Sequence, residues 1–130
     1  MITAEQLLAE QETARRNFGR MLRNWRHRNG WTPYTAACWA ADAGFQGIPY
    51  GALQLIEEGK GGELRQKAFF QLQELNSRLA TQNYGSIGSQ KILEQVTGAR
   101  PLGSAAKAVW DATDFWACYV GLLPVPDEYA

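Results

Sequence analysis

The chain has 130 residues, 45% of them apolar and 12% aromatic, which is enough to build a core and speaks against global disorder. Its 13 Lys and Arg balance 13 Asp and Glu, so the overall charge excludes the strongly basic character usual in nucleic-acid binders. Two cysteines, Cys38 and Cys118, lie far apart without CxxC spacing, so neither a zinc site nor a disulfide framework is indicated.

Thr3-Ala4-Glu5-Gln6 reads as a capping box, with a hydroxyl at the N-cap and Gln at N3. The spacing predicts a helix from there to Asn29, where Gly30 supplies the usual left-handed stop. Leu7, Gln11, Ala14, Phe18, Met21, Leu22 and Trp25 follow three- and four-residue steps and mark one buried stripe. Gly19 interrupts the middle, weakening it by roughly 1 kcal/mol relative to Ala, at a place where a neighbouring element could come close. Six arginines and no acid lie between Thr13 and Tyr34. Arg16, Arg20 and Arg23 fall opposite the apolar stripe, as a solvated back face or as a patch for phosphate or an acidic partner. His27 is the only histidine and reads as a surface residue.

Thr32-Pro33 signals the start of a second helix, a hydroxyl cap followed by Pro at the first helical position, ending at Ala43-Gly44. It is rich in alanine; Trp39 anchors it, and Cys38 reads as a small buried apolar residue. A third helix is predicted from about Pro49 to Glu58, stopped by Gly59. Two compact helices joined by a Gly-containing turn are the helix-turn-helix plan.

At these residues the chain resembles the Cro and lambda-repressor (XRE) family. Leu22-Arg23 and Arg26 followed by Gly30-Trp31-Thr32 resemble that family's LRxxR…GLT opening. Trp39-Ala40 with Ala43-Gly44-Phe45 resembles its LAxxAGV, and Leu53 with Ile56-Glu57-Glu58-Gly59-Lys60 resembles its IxxIExGK ending. The second helix and the turn each carry about three extra residues, and Pro33 and Tyr34 stand where the family has a phosphate-bonding Gln. The resemblance implies an all-α, lambda-repressor-like helix-turn-helix bundle and a sequence-specific, DNA-binding transcriptional regulator acting as a homodimer. It implies a structural ion pair between Arg26 and Glu57. It places helix 49–58 in the major groove, where counting back from Ile56 puts Tyr50 and Gln54 against bases. Arg23, Arg28, Thr32, Tyr34 and Lys60 become phosphate candidates. The alternative reading is a helix-turn-helix scaffold that binds another protein and no DNA.

Gly59-Lys60-Gly61-Gly62 is the one good boundary. Beyond it Glu63 to Ala80 forms a closing helix, with Leu64, Ala68, Phe69, Leu72, Leu75 and Leu79 inward and Phe69 and Phe70 either core or a dimer seam. Residues 1–80 then make the helix-turn-helix unit and 81–130 a C-terminal extension of short helices: Ser89 to Val96, Ser104 to Trp110, and Thr113-Asp114 to Gly121. Its many apolar groups must cover the N-terminal unit or a second copy, and two-fold DNA binding favours dimerisation. Trp110, Phe115, Trp116 and Tyr119 read as core or subunit interface. Residues 124–128 read as a frayed acidic end. With one histidine, no phosphate loop and no nucleophile constellation, no catalytic residues, metal ligands or cofactor are expected. Acids early in the chain and the lack of a membrane-length apolar run predict a soluble, cytoplasmic protein without a membrane partner.

Overall fold

A computed structural model describes residues 1–130. It holds six α-helices and no strand: α1 (Ala4–Arg28), α2 (Thr35–Ala43), α3 (Tyr50–Glu57), α4 (Gln66–Thr81), α5 (Gln90–Val96) and α6 (Ala112–Tyr119), with a 3₁₀ turn at Asp127–Tyr129. No helix is long and apolar enough to cross a membrane.

The capping box forms at the head of α1: the Gln6 N–H donates to the Thr3 hydroxyl, and the Thr3 N–H donates to the Gln6 side chain. Phe18, Met21, Leu22 and Trp25 are buried along one side. The expected stripe does not continue upstream. Residues 1–13 are all exposed, Leu7 and Gln11 among them, because the body of the fold ends beside Ala14, where Gly121 lies. Gly19 marks the crossing of α1 and α3: a Cβ built there would sit 2.2 Å from the Ile56 carbonyl oxygen.

α2 begins two residues after the expected start. Thr32 caps a turn instead, its hydroxyl accepting the Tyr34 N–H at 3.2 Å, and the Thr32 N–H donates to Thr35 Oγ1 at 3.0 Å. Gly44, at φ +77, stops α2, and residues 44–49 lead to α3. Cys38 is exposed, contrary to the buried reading, while Cys118 is buried; α2 turns Ala36, Trp39 and Ala40 inward and leaves Cys38 on its outer side. α4 starts at Gln66, three residues later than expected, since Leu64 is held outside it by an N–H bond to the Tyr119 hydroxyl.

The predicted helix from Ser104 to Trp110 does not form. The chain there is a loop whose two ends, Leu102 and Trp110, are held by Asn76, fully buried on α4. The Asn76 amide donates to the carbonyls of Leu102 at 2.8 Å and Trp110 at 3.0 Å, and its oxygen accepts the Leu102 N–H at 2.6 Å. Trp110 N–H also donates to the Leu102 carbonyl, closing a tight loop. A buried amide with its partners supplied outweighs a marginal short helix. α6 begins at Ala112, before the start expected at Thr113-Asp114; Asp111 is its N-cap and Asp114 its first-turn acid, joined in a reciprocal box.

One continuous core runs through both sides of the expected boundary at residue 80, from Phe18, Trp39 and Leu72 to Val96, Leu102, Trp110, Phe115 and Tyr129. Three indole N–H groups stitch the two parts together. Trp25 donates to the Arg100 carbonyl, Trp31 to that of Gln95 and Trp39 to that of Tyr84, each at 2.8 Å. Residues 81–130 therefore cover the N-terminal helices within the same chain, and the surplus of apolar groups that argued for C-terminal dimerisation is absorbed there. The exceptions are Trp116 and Leu122, which stay exposed. Nor is the end frayed: Tyr129 is buried, and Asn24 on α1 donates to its carbonyl at 2.9 Å.

Candidate nucleic-acid interface

The site is built on α3. Leu53, Ile56 and Glu57 face inward, and a single guanidinium fixes the helix on α1. Arg26 Nε donates to Glu57 Oε2 at 2.9 Å and Nη2 to Oε1 at 2.7 Å, while Nη1 donates to the Trp31 carbonyl at 3.2 Å. Both side chains are nearly closed off from solvent, so the fork satisfies a carboxylate that water cannot reach.

With its inner face held, α3 presents Gly51, Ala52, Gln54 and Leu55 outward. Tyr50, half-buried, stacks on Tyr34 with ring centroids 4.1 Å apart and planes 21° from parallel. The neighbouring Tyr34 hydroxyl is the main cause that raises the Tyr50 hydroxyl above its ordinary value, with slight burial and the charge of Glu58 adding to it. A cleft of about 150 Å³ opens between α1 and α3, lined by Arg23, Pro33, Gln54, Glu57 and Glu58. Arg23 is 43% exposed; its Nη2 reaches the Glu57 carbonyl at 3.4 Å and its Nε lies 3.8 Å from that carboxylate.

The structure thus gathers Arg23, Tyr34, Tyr50 and Gln54 around α3. Lys60 stands just beyond its end, 70% exposed and 3.6 Å from Glu58. Thr32 is exposed, but its hydroxyl is engaged in the turn before α2. Arg28 does not join the group. It lies 3.7 Å from Glu128 and over the Tyr129 ring, with Arg100 on the same carboxylate. Sequence reasoning missed that cluster because Glu128 sits in a stretch read as frayed. It also gave no hint that Tyr34 and Tyr50 stack, sixteen positions apart; the unusual Tyr at both sites was the only signal. Arg16 borders the site, packed on Gly59. Arg20 is exposed on the same outer side of α1. No group of three or more His, Cys, Asp or Glu is arranged to hold a metal ion.

Residues 7–121 match the family model described as a domain of unknown function (DUF8644), and the chain belongs to that family. No curated protein and no solved structure matches it.

Proposed function

We propose that the chain is a cytoplasmic, sequence-specific DNA-binding regulator of the XRE type, a lambda-repressor-like helix-turn-helix bundle that sets α3 in the major groove. The observation that carries this reading is the outward face of α3. It has an exposed amide, Gln54, among Gly51, Ala52 and Leu55, bordered by the cations Arg23 and Lys60. An amide at such a position can bond adenine N6 and N7 together. The small residues beside it allow the groove wall to approach, and Tyr50 packs against the neighbouring base. Arg23, Thr32, Tyr34 and Lys60 hold phosphates, Lys60 exchanging Glu58 for one of them. Arg28, engaged with Glu128 and Tyr129, takes no part. A homodimer on two half-sites about one helical turn apart completes the arrangement.

The second reading, a protein-interaction module without DNA binding, is favoured by Leu55, which is 45% exposed beside Gln54, and by the carboxylates next to Arg23 and Lys60. Salt separates the two. Affinity for random-sequence duplexes, followed by fluorescence anisotropy, falls linearly on a log–log plot as salt rises if several phosphates are bound. No binding at low salt rejects the DNA reading.

A further inference from the structure

Two exposed apolar surfaces on this chain lack partners within it. The first is the start of α1. Ile2, Leu7 and Leu8 are 50%, 47% and 60% exposed, and helical geometry puts Leu7 and Leu8 on the same side as the buried Phe18 and Leu22. The segment 4–13 spans about 15 Å of helix with no tertiary packing, a length that is marginal in water without help. Its charged side chains are all acidic: Glu5, Glu10 and Glu12.

The second is a groove of about 370 Å³ between the first turns of α4 and α6, walled by Leu64, Phe69, Phe70, Ala112 and Trp116. Phe70 is 50% and Trp116 45% exposed. The exposed cation Arg65 stands at the N-cap of α4, between Leu64 and Gln66 of the groove wall, and the first turn of α4 contains no acid to offset its positive end. Of the nearby acids, Asp111 and Asp114 are already paired with Lys107, leaving Glu63.

We infer that a second copy of this chain covers the groove: the α1 arm of each protomer lies in the Phe70–Trp116 groove of the other, Leu7 and Leu8 against the aromatic rings and the arm's acids toward Arg65 and the positive end of α4. The charges are complementary and each surface is apolar where the other is. The arm cannot serve its own groove, because α1 runs unbroken through Ala14 and would have to break to fold back. Large aromatics in a pocket are the side chains that dominate such contacts. The inference stands apart from DNA binding.

Light scattering on the full chain at tens of micromolar, without DNA, tests it. The expected mass is that of two chains. The double variant Leu7→Glu with Leu8→Glu and the double variant Phe70→Ser with Trp116→Ser are each expected to be monomeric. All four residues are at least 45% exposed within the chain, so both variants are expected to fold, with one cooperative thermal transition and a helical circular dichroism spectrum, at a melting temperature lowered by the loss of the dimer. Mixed in equal amounts, the two variants regain a dimer, since one arm and one groove remain intact between them. A groove variant that stays dimeric overturns the inference, as would happen if two arms paired with each other, and so does a mixture that stays monomeric. A monomeric wild-type chain overturns it as well and leaves the groove to a foreign helix. Gln54→Ala, which addresses DNA alone, leaves the mass of the dimer unchanged.

Discussion

Arg26 and Glu57 are joined by two parallel hydrogen bonds across the crossing of α1 and α3, and each residue is 8% exposed. Removing either partner alone strands the other charge out of water, so Arg26→Ala or Glu57→Ala is expected to cost about 3–5 kcal/mol. Replacing both with apolar residues of similar volume should cost clearly less than either single change. Urea unfolding of the three variants checks this. A single change that leaves the midpoint in place would mean that the pair adds nothing to the crossing.

Gly19 sets how closely those two helices approach. Alanine in an ordinary helix interior would gain roughly 1 kcal/mol over Gly. Here the added carbon meets the carbonyls of Ile56 at 2.2 Å and Glu57 at 2.8 Å, both backbone. Relieving that overlap means moving α3, so Gly19→Ala is expected to be net destabilising, by about 1–3 kcal/mol, and to weaken any binding that uses α3. A raised melting temperature would show that the crossing is loose.

Gln54 carries the DNA reading. Gln54→Ala is expected to relax base preference at one position in each half-site, at a cost of roughly 1–3 kcal/mol there. Non-specific affinity should hardly change. Selection from random duplexes with wild type and variant measures it; identical consensus sequences would remove Gln54 from base contact.

The two cysteines should differ sharply in reactivity. Burial pushes the Cys118 thiol up to about 12, leaving almost no thiolate at neutral pH. Cys38 is exposed. One equivalent of a thiol reagent is therefore expected to react with the folded protein, and none with Cys38→Ser until it is unfolded. Two equivalents reacting with the native chain would contradict the packing around Cys118.

Asp111 ties α6 to pH. The hydrogen bond from Lys107 is the main cause that holds its carboxyl below the ordinary range, helped by the backbone N–H of Asp114. A group depressed by folding stabilises above its unfolded value, roughly 3.9, and that contribution fades as pH falls through the folded value. Asp111→Ala should cost about 0.5–2 kcal/mol at neutral pH by loss of the cap. The gap between wild type and variant should narrow below pH 4. Melting curves across that range decide it, and a constant gap would assign the loss to the alanine itself.

The helix ends were legible where a single side chain or glycine fixes them. Thr3 with Gln6, Ser89 before α5, and Gly30, Gly44 and Gly59 after the first three helices act within a few residues of themselves. What was hidden depends on distant partners. Asn76 is one polar residue on an otherwise apolar helix face, and nothing local says that it will capture Leu102 and Trp110, 26 and 34 positions away. Leu7 continues the periodicity of Phe18 and Leu22, yet periodicity cannot tell where the neighbouring helices run out. In the candidate site, no local spacing links Arg26 to Glu57, thirty-one positions on; only a resemblance could suggest that partner. The stacking of Tyr34 on Tyr50 required the turn before α2, which a Thr-Pro pair disguises as a helix start.

The bond from Asn24 to the Tyr129 carbonyl spans 105 positions, and it bears on the order in which the molecule can assemble. α1 leaves the ribosome before the other five helices, yet the indole of Trp25 waits for Arg100 and the flank at Asn24 waits for Tyr129. Contacts of such long range close late, because the intervening loop must first be ordered. Until then the Phe18–Trp25 stripe is open to any apolar surface it meets. A nascent chain arrested near residue 110 should therefore recruit chaperones and resist proteolysis poorly, and both should change abruptly once Tyr129 clears the exit tunnel.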